Sequence, residues 1–236
     1  MTETNIPKII HYCWFGNNKK PKKTIKIIKE WEKKLPDYKF IEWNEQNFDI
    51  SKSCNFVKEA YYKKKWAFVS DYVRLYALRE YGGIYLDTDV QILKKFDEYL
   101  DLKMFISQES DVSLCTAVIG AEKENKIISG FLNTYEKAKF IENNKSNETP
   151  NSELIKNYLM KIYGPIQYDL EYTFDNIKIF PQTYFCGKNI HNYELLVTDN
   201  TVCIHNLDAT WYSPGHKLLR YIKKNVLRLL KLFKKD

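Results

Sequence analysis

The chain has 236 residues and a mass of 28.2 kDa, which is enough for one sizeable α/β domain and short for two. Hydrophobic residues make up 44% of the chain and aromatic residues 15%, which excludes a disordered protein. The net charge of +7 is matched by residues 216–236 alone, which hold eight Lys or Arg and one Asp. The remainder is neutral, which argues against a nucleic-acid surface. We expect one domain over residues 1–213 and a separate basic segment over 214–236.

Cysteine usage and the N-terminus bear on the compartment. The five cysteines include no Cys-x-x-Cys pair, which argues against a disulfide framework and against a structural zinc site. No basic region followed by an apolar run opens the chain, and no apolar stretch is long enough to span a bilayer. We therefore expect a protein kept in the cytosol, with reduced cysteines in its core.

The N-terminal part alternates between apolar runs and amphipathic runs. Residues 6–15 read as a buried strand, residues 21–34 as an amphipathic helix and residues 38–43 as a second strand. A right-handed strand–helix–strand unit predicts parallel pairing, with loops from several strand ends at one edge of the sheet. Residues 55–65 predict a further helix with a solvated lysine face.

The central run, residues 66–93, carries the densest signal. Apolar residues three and four apart predict a helix over 67–81, and two glycines then stop it. Residues 84–86 are β-prone and predict a buried strand with Asp87 and Asp89 at its carboxyl end. In open α/β sheets this is a position where binding sites form.

The chemistry of this run suggests a site for a hard cation. Asp87 and Asp89, two residues apart in an extended segment, can face the same side and suit Mg²⁺ or Mn²⁺. Asp71 and Arg74 share one face of the preceding helix and could present an acceptor and a fixed cation to the same pocket. The alternative is that Asp87 and Asp89 form only a solvated turn after a strand.

The rest of the chain supplies further strands and helices. We expect helices over 125–140 and 153–163, a mobile polar loop over 142–152, and strands over the following segments: 90–93, 105–108, 115–120, 177–181 and 201–205. The first three of these strands should complete the sheet.

The central motifs as a group closely resemble the metal-binding region of family 32 glycosyltransferases. The resemblance rests on Ser70-Asp71-x-x-Arg74, Tyr81-Gly82-Gly83 and Tyr85-x-Asp87-x-Asp89, and it extends to the catalytic domain of the clostridial glucosylating toxins. It implies a single-domain GT-A-type, Rossmann-like α/β fold with a mixed sheet flanked by helices. It also implies a metal-dependent transferase that takes a sugar from a nucleotide-diphosphate sugar and retains its anomeric configuration.

The resemblance also assigns roles to residues. Asp71, Arg74, Asp87 and Asp89 would form the catalytic set, and Asp71, Arg74 and Tyr85 would contact the donor sugar and its phosphates. Asp87 and Asp89 would hold Mn²⁺ or Mg²⁺, with His205 as a third ligand. For that third position Asn206 and Asp208 compete, and a structural role for His205 is the alternative.

Two tryptophans match the family's donor-binding positions. Trp14 ends a segment that resembles the family's opening Ile-Pro-Lys-Ile-Ile-His-x-x-Trp, which implies stacking on the nucleobase; packing in the core is the alternative. Trp211, six residues after His205, would contact the diphosphate. Thr210 keeps the hydroxyl of the Gly-Ser that many relatives have before this tryptophan, whereas Ala209 replaces the glycine.

For the reaction, a UDP-sugar donor is favoured, and the acceptor would be a surface glycan such as a capsular polysaccharide or lipooligosaccharide. A phosphatase opening with Asp-x-Asp is an alternative, although Gln91 occupies the fifth position of that motif. A non-enzymatic membrane or nucleic-acid adaptor is a third possibility, but it leaves the central motif unexplained.

The C-terminal residues 216–235 predict an amphipathic helix with an apolar face and a basic face. Such a helix can lie on an anionic membrane surface, which would place the enzyme peripherally on the inner face of the cell membrane, near a glycolipid acceptor. The alternative is that the apolar face packs against the protein's own domain.

Overall fold

The computed structural model describes residues 4–208, which form a mixed α/β structure. The strands are β1 (Ile9–Cys13), β2 (Lys39–Trp43), β3 (Gly83–Leu86), β4 (Val90–Ile92), β5 (Met104–Gln108), β6 (Leu114–Ala121), β7 (Ile141–Glu142), β8 (Lys145–Ser146), β9 (Tyr172–Phe174), β10 (Ile177–Phe180) and β11 (Cys203–His205). The helices are α1 (Lys22–Lys34), α2 (Asn55–Tyr62), α3 (Trp66–Tyr81), α4 (Lys126–Lys137), α5 (Asn151–Tyr163) and α6 (Gln182–Phe185). Single 3₁₀ turns occur at Ile50–Lys52 and Asp97–Tyr99.

Seven strands form the main sheet in the order β2-β1-β3-β6-β5-β10-β9. Strand β1 pairs in parallel with β2 and with β3, so the predicted strand–helix–strand unit is confirmed. Beyond these strands the sheet is mixed, as the family resemblance implies, and not all parallel: β10 pairs in parallel with β5, whereas β6 runs antiparallel to both β3 and β5. The long strand β6 lies between the two, so the carboxyl ends of β1, β3 and β5 point to the same edge of the sheet.

Helices cover both faces of the sheet. Helices α2, α3, α4 and α5 pack on one face, where fully buried side chains include Val69, Leu75, Phe131 and Leu159. On the other face lie α1 and α6, with a core of Trp31, Phe96, Phe105 and Phe185. Burial on both faces explains why the central strands read as continuous apolar runs without alternation.

A second, two-stranded ribbon pairs β4 with β11 antiparallel. The expectation that residues 90–93 complete the main sheet is therefore wrong, although the strand itself is present. The indole nitrogen of Trp31 in α1 donates a hydrogen bond to the carbonyl of Val90 at 2.8 Å. This bond ties the ribbon to the α1 side of the core, directly after the Asp87–Asp89 turn.

Several other expectations need correction. Residues 142–152 do not form one long loop, since β7 and β8 form a short hairpin within residues 141–146 and α5 begins at Asn151. Helix α2 ends at Tyr62 and α4 at Lys137, earlier than predicted. Strand β9 and helix α6 were missed. The predicted helix over 216–235 lies outside the described residues. Within residues 4–208, every helix is too short or too polar to cross a membrane.

Candidate active site

The site is built at the junction of α3 and β3. Gly82 and Gly83 have φ values of +64° and +109°, which side-chain-bearing residues rarely adopt. A Cβ at Gly83 would also lie 2.6 Å from the carbonyl oxygen of Ile9. The two glycines therefore let the chain reverse tightly against β1, so that α3 packs on the sheet and β3 leads directly to Asp87.

Arg74 is the buried cation of the site. Its guanidinium Nη2 lies 3.0 Å from Asp71 Oδ1 and 3.2 Å from Asp87 Oδ1, while Nη1 donates to the carbonyl of Thr116 at 3.0 Å. The guanidinium also lies over the ring of Tyr85, 4.7 Å from its centre. The predicted grouping of Asp71 and Arg74 on one helix face, directed towards the acidic pair, is present in the structure.

Tyr85 fixes the orientation of the first aspartate. Its hydroxyl donates to Asp87 Oδ1 at 2.8 Å, so this one oxygen accepts from both Tyr85 and Arg74. The side chain of Asp87 keeps 30% of its surface exposed, whereas that of Arg74 keeps 6%. Tyr85 and Arg74 thus hold one oxygen of Asp87 on its buried side, and the carboxylate remains partly accessible to solvent.

The charges in this network are strongly perturbed by burial. Burial raises the pKa of Asp71 to about 6, with Arg74 partly offsetting the effect and Asp87 adding to it. Burial opposes the charge of Arg74, but attraction to Asp87 and Asp71 outweighs it and raises the pKa of the guanidinium. Burial and the neighbouring Asp87 raise the pKa of the Tyr85 hydroxyl well above its usual value, so the hydroxyl remains a donor.

The ribbon of β4 and β11 brings His205 to the second aspartate. His205 pairs in register with Val90, and its Nε2 lies 3.4 Å from Asp89 Oδ1. Burial alone would raise the pKa of Asp89, but the charge of His205 outweighs it and lowers the pKa to about 2. In turn burial opposes protonation of His205, and Asp89 more than compensates, so the pKa of the imidazole is raised well above its usual value.

The three predicted metal ligands are brought together. Asp87, Asp89 and His205 each place one ligand atom within 4.8 Å of the other two. Two carboxylates and one imidazole form a donor set that suits Mn²⁺ or Mg²⁺, and Asp87 and Asp89 retain exposed surface through which such an ion could enter. The residues therefore fit the predicted cation. Because a ligating imidazole must be neutral, the cation would take the place of the His205 proton.

The competing candidates Asn206 and Asp208 do something else. Asn206 donates from Nδ2 to the backbone carbonyl of Asp89 at 2.8 Å, and the backbone N–H of Asp208 donates to Asp89 Oδ2 at 2.8 Å. The carboxylate of Asp208 pairs with Lys23 of α1. In the described part of the chain these two residues hold Asp89 in place, and His205 is the one that faces the carboxylate.

Trp14 directly follows β1, at the same edge of the sheet as Asp87. Its indole nitrogen donates to the carbonyl of Asn18 at 2.7 Å, and the ammonium of Lys20 lies 5.9 Å from the ring centre. Trp14 as a residue is half-buried. The other predicted donor-binding residues, Thr210 and Trp211, lie outside the described residues.

Sequence reasoning missed Glu109. It directly follows β5, and since β5 runs parallel to β3, its carboxyl end reaches the same edge of the sheet as Asp87. Glu109 Oε1 lies 3.7 Å from His205 Nδ1. A search for acidic residues after every predicted strand would have found Glu109 by the argument that found Asp87.

Comparison with known proteins identifies the region. Residues 21–110 match the family model described as a glycosyltransferase sugar-binding region containing a DXD motif, and the Asp87–Asp89 turn is that motif. Residues 21–110 are therefore similar to the sugar-binding region of this glycosyltransferase family.

Individual relatives agree with the assignment. Subversion of eukaryotic traffic protein A of Legionella pneumophila is 27% identical over 58% of this chain, and inositol phosphoceramide mannosyltransferase 3 of Schizosaccharomyces pombe is 30% identical over 50%. The matches span 26% and 34% of the length of these relatives.

A solved structure supports the fold. The PaToxG glycosyltransferase superposes with a TM-score of 0.52, at 21% identity, over 67% of this chain and 69% of its own. The predicted GT-A-type mixed sheet flanked by helices is confirmed for the described residues.

Proposed function

We propose that the protein is a metal-dependent, retaining glycosyltransferase that uses a nucleotide-diphosphate sugar, with a UDP-sugar as the favoured donor. The observation that carries the proposal is the convergence of Asp87, Asp89 and His205 beside the buried guanidinium of Arg74. A phosphate-handling site needs positive charge placed where the leaving diphosphate develops negative charge. The three carboxylates of Asp71, Asp87 and Asp89 face only one guanidinium, that of Arg74. The negative charge left over would be balanced by a divalent cation.

In this proposal Asp87, Asp89 and His205 would hold Mn²⁺ or Mg²⁺, which would supply Lewis-acid charge neutralisation for the departing diphosphate. Arg74 and Tyr85 keep the Asp87 carboxylate in one orientation. Asp71, whose carboxylate is buried against Arg74, is the acceptor available for hydroxyls of the donor sugar. Trp14 stacks on the nucleobase, and Trp211 with Thr210 contacts the diphosphate.

The acceptor proposal is a glycan or glycolipid of the cell surface, reached from the cytoplasmic side. Support comes from the basic amphipathic pattern of residues 216–235, which would hold the enzyme on an anionic membrane surface. Relatives with ceramide-linked mannosyltransferase names are consistent with a lipid-linked acceptor. For this reason a donor screen should include nucleotide-mannose alongside the UDP-sugars.

The decisive experiment is donor hydrolysis without acceptor, because a site that activates the donor for transfer also activates it towards water. We expect slow, metal-dependent release of nucleoside diphosphate that EDTA abolishes. Asp89→Asn should reduce turnover by more than about 100-fold, since even changes behind a metal ligand cost 10–100-fold. Asp175→Asn is the matched control, because Asp175 is an exposed residue paired with Lys103.

The outcomes separate the candidate functions. Full turnover by a folded Asp89→Asn variant would refute the metal assignment. Release of inorganic phosphate from a phosphomonoester, lost on Asp87→Asn, would support the phosphatase alternative.

A further inference from the structure

A second group of metal-binding side chains lies behind His205. Glu109, Cys115, Cys186 and His205 each place one ligand atom within 4.8 Å of the other three. Cys115 and Cys186 are fully buried, while Glu109 and His205 are partly exposed. The four residues come from β6, the residue after α6, β11 and the turn after β5, so no short sequence motif reveals them.

The backbone holds this group in place. The N–H of His205 donates to the carbonyl of Cys186 at 2.9 Å, which fixes β11 against the end of α6. Ser113 donates from its hydroxyl to Glu109 Oε2 at 3.1 Å, and this leaves Oε1 facing His205 Nδ1 at 3.7 Å. That Nδ1 atom is buried and has no hydrogen-bond partner of good geometry among residues 4–208. A buried imidazole nitrogen without a hydrogen-bond partner, in a residue clustered with two thiols and a carboxylate, is an unusual arrangement unless something binds it.

The donor types differ from those of the Asp87–Asp89 site. Thiolate and imidazole ligands select soft or borderline ions such as Zn²⁺ and Co²⁺, whereas carboxylates suit Mg²⁺ and Mn²⁺. Bonds of about 2.0–2.3 Å to a tetrahedral ion require the four ligand atoms to approach by roughly 1 Å. On binding, each thiol and the Nδ1–H of a protonated His205 release a proton to solvent as the metal–ligand bonds form, so the site holds two thiolates, one carboxylate and one neutral imidazole.

We propose that Cys115, Cys186, Glu109 and Nδ1 of His205 form a binding site for a zinc-class ion, distinct from the Asp87–Asp89 site and sharing only His205 with it. A neutral imidazole offers one lone pair. Ligation through Nδ1 leaves the proton on Nε2, which faces Asp89 Oδ1. Asp89 then orients the histidine as a carboxylate partner, and His205 is withdrawn from the Mn²⁺ or Mg²⁺ site. The zinc-class ion is therefore inhibitory.

Cobalt titration of the full chain tests binding without any donor or acceptor. We expect a thiolate-to-cobalt charge-transfer band with the visible bands of a tetrahedral ion, and Zn²⁺ should displace both. The band should be lost in Cys115→Ser and in Cys186→Ser. It should persist in Cys54→Ser, the matched control on the far side of the sheet, and in Asp87→Asn, which affects the other site.

A second measurement tests the shared histidine. Preloading with one equivalent of Zn²⁺ should weaken Mn²⁺ binding, followed by electron paramagnetic resonance, by about tenfold in the wild type. The same preloading should have no effect in Cys186→Ser. The expected effect on Mn²⁺ binding rests on the proposed function, whereas the cobalt band does not. Failure of the proposed function can therefore be distinguished from failure of the zinc-class site.

Absence of the charge-transfer band, or its survival in both cysteine variants, would overturn the site. Circular dichroism and thermal unfolding of each variant establish that loss of the band is not loss of the fold. If a serine variant unfolds, Glu109→Gln keeps both thiols and the side-chain shape, and it should weaken cobalt affinity by at least about tenfold.

Discussion

The hydroxyl of Tyr85 offers the most direct test of how the site is held. Tyr85→Phe removes the 2.8 Å hydrogen bond to Asp87 Oδ1 and keeps the ring under Arg74. A hydrogen bond to a charged group contributes about 1.5–3 kcal/mol. Because Arg74 still contacts the same oxygen, the lower end of that range applies, and about 1.5 kcal/mol corresponds to roughly a tenfold weaker Mn²⁺ affinity.

Mn²⁺ binding by calorimetry and donor hydrolysis at saturating metal are the two assays. Affinity should fall about tenfold, and turnover should recover in part when Mn²⁺ is raised, since the ligands themselves remain. Tyr76→Phe is the matched control, because Tyr76 lies on α3, the helix that carries Arg74, but packs against Trp43 and Phe48. Wild-type Mn²⁺ affinity in a folded Tyr85→Phe protein would refute the idea that the Tyr85 hydroxyl orients Asp87.

Three further predictions follow. Trp14→Ala should weaken nucleotide binding by about 1–3 kcal/mol if the ring stacks on the base. Unchanged nucleotide affinity in titration calorimetry would mean that Trp14 serves only packing. His11 is neutral, with Nε2 2.8 Å from the carbonyl of Gly82 and Nδ1 accepting from Trp43, and burial lowers its pKa from 6.5 to about 4. The unfolded chain thus binds a proton at His11 more tightly than the folded chain does. The stability that neutral His11 contributes above pH 6.5 is therefore lost as the pH falls through 4. Between pH 7 and pH 4 the free energy of unfolding, measured in urea, should fall by up to about 3 kcal/mol less in His11→Gln than in the wild type. An equal fall in both proteins would contradict the assignment of a neutral, buried His11. Truncation after Ser213 should preserve donor hydrolysis while abolishing salt-sensitive binding to anionic liposomes, and liposome binding by the truncated chain would exclude the membrane helix.

Sequence patterns predicted the elements that carry strong local signals. Helix α3 and strand β3 were predicted nearly to the residue because apolar spacing, two glycines and a short β-prone run all agreed. The position of Asp87 then followed from the rule that sites form at carboxyl strand ends. This part was predictable because the local residue patterns and the rule for where sites form in a sheet indicate the same structure.

The errors arose where structure depends on distant contacts. Residues 90–93 read as a strand, but nothing local indicates that they leave the main sheet to pair with β11, more than 100 residues later. The antiparallel insertion of β6 likewise depends on partners on both sides. The clustering of Cys115 and Cys186 with His205 is hidden for the same reason, since it exists only once three separate elements have packed.

The charge balance of the site explains why its parts belong together. Asp71, Asp87 and Asp89 bring three negative charges to one buried corner, and Arg74 supplies a single fixed positive charge. The remaining excess of two negative charges would repel a diphosphate. A protonated His205, with Nε2 3.4 Å from Asp89 Oδ1, would offset only half of that excess. A divalent ion held by Asp87, Asp89 and His205 would offset the two negative charges that Arg74 leaves. Under the proposed function we therefore expect metal binding before donor binding, because the bound ion would reduce the repulsion of the phosphates.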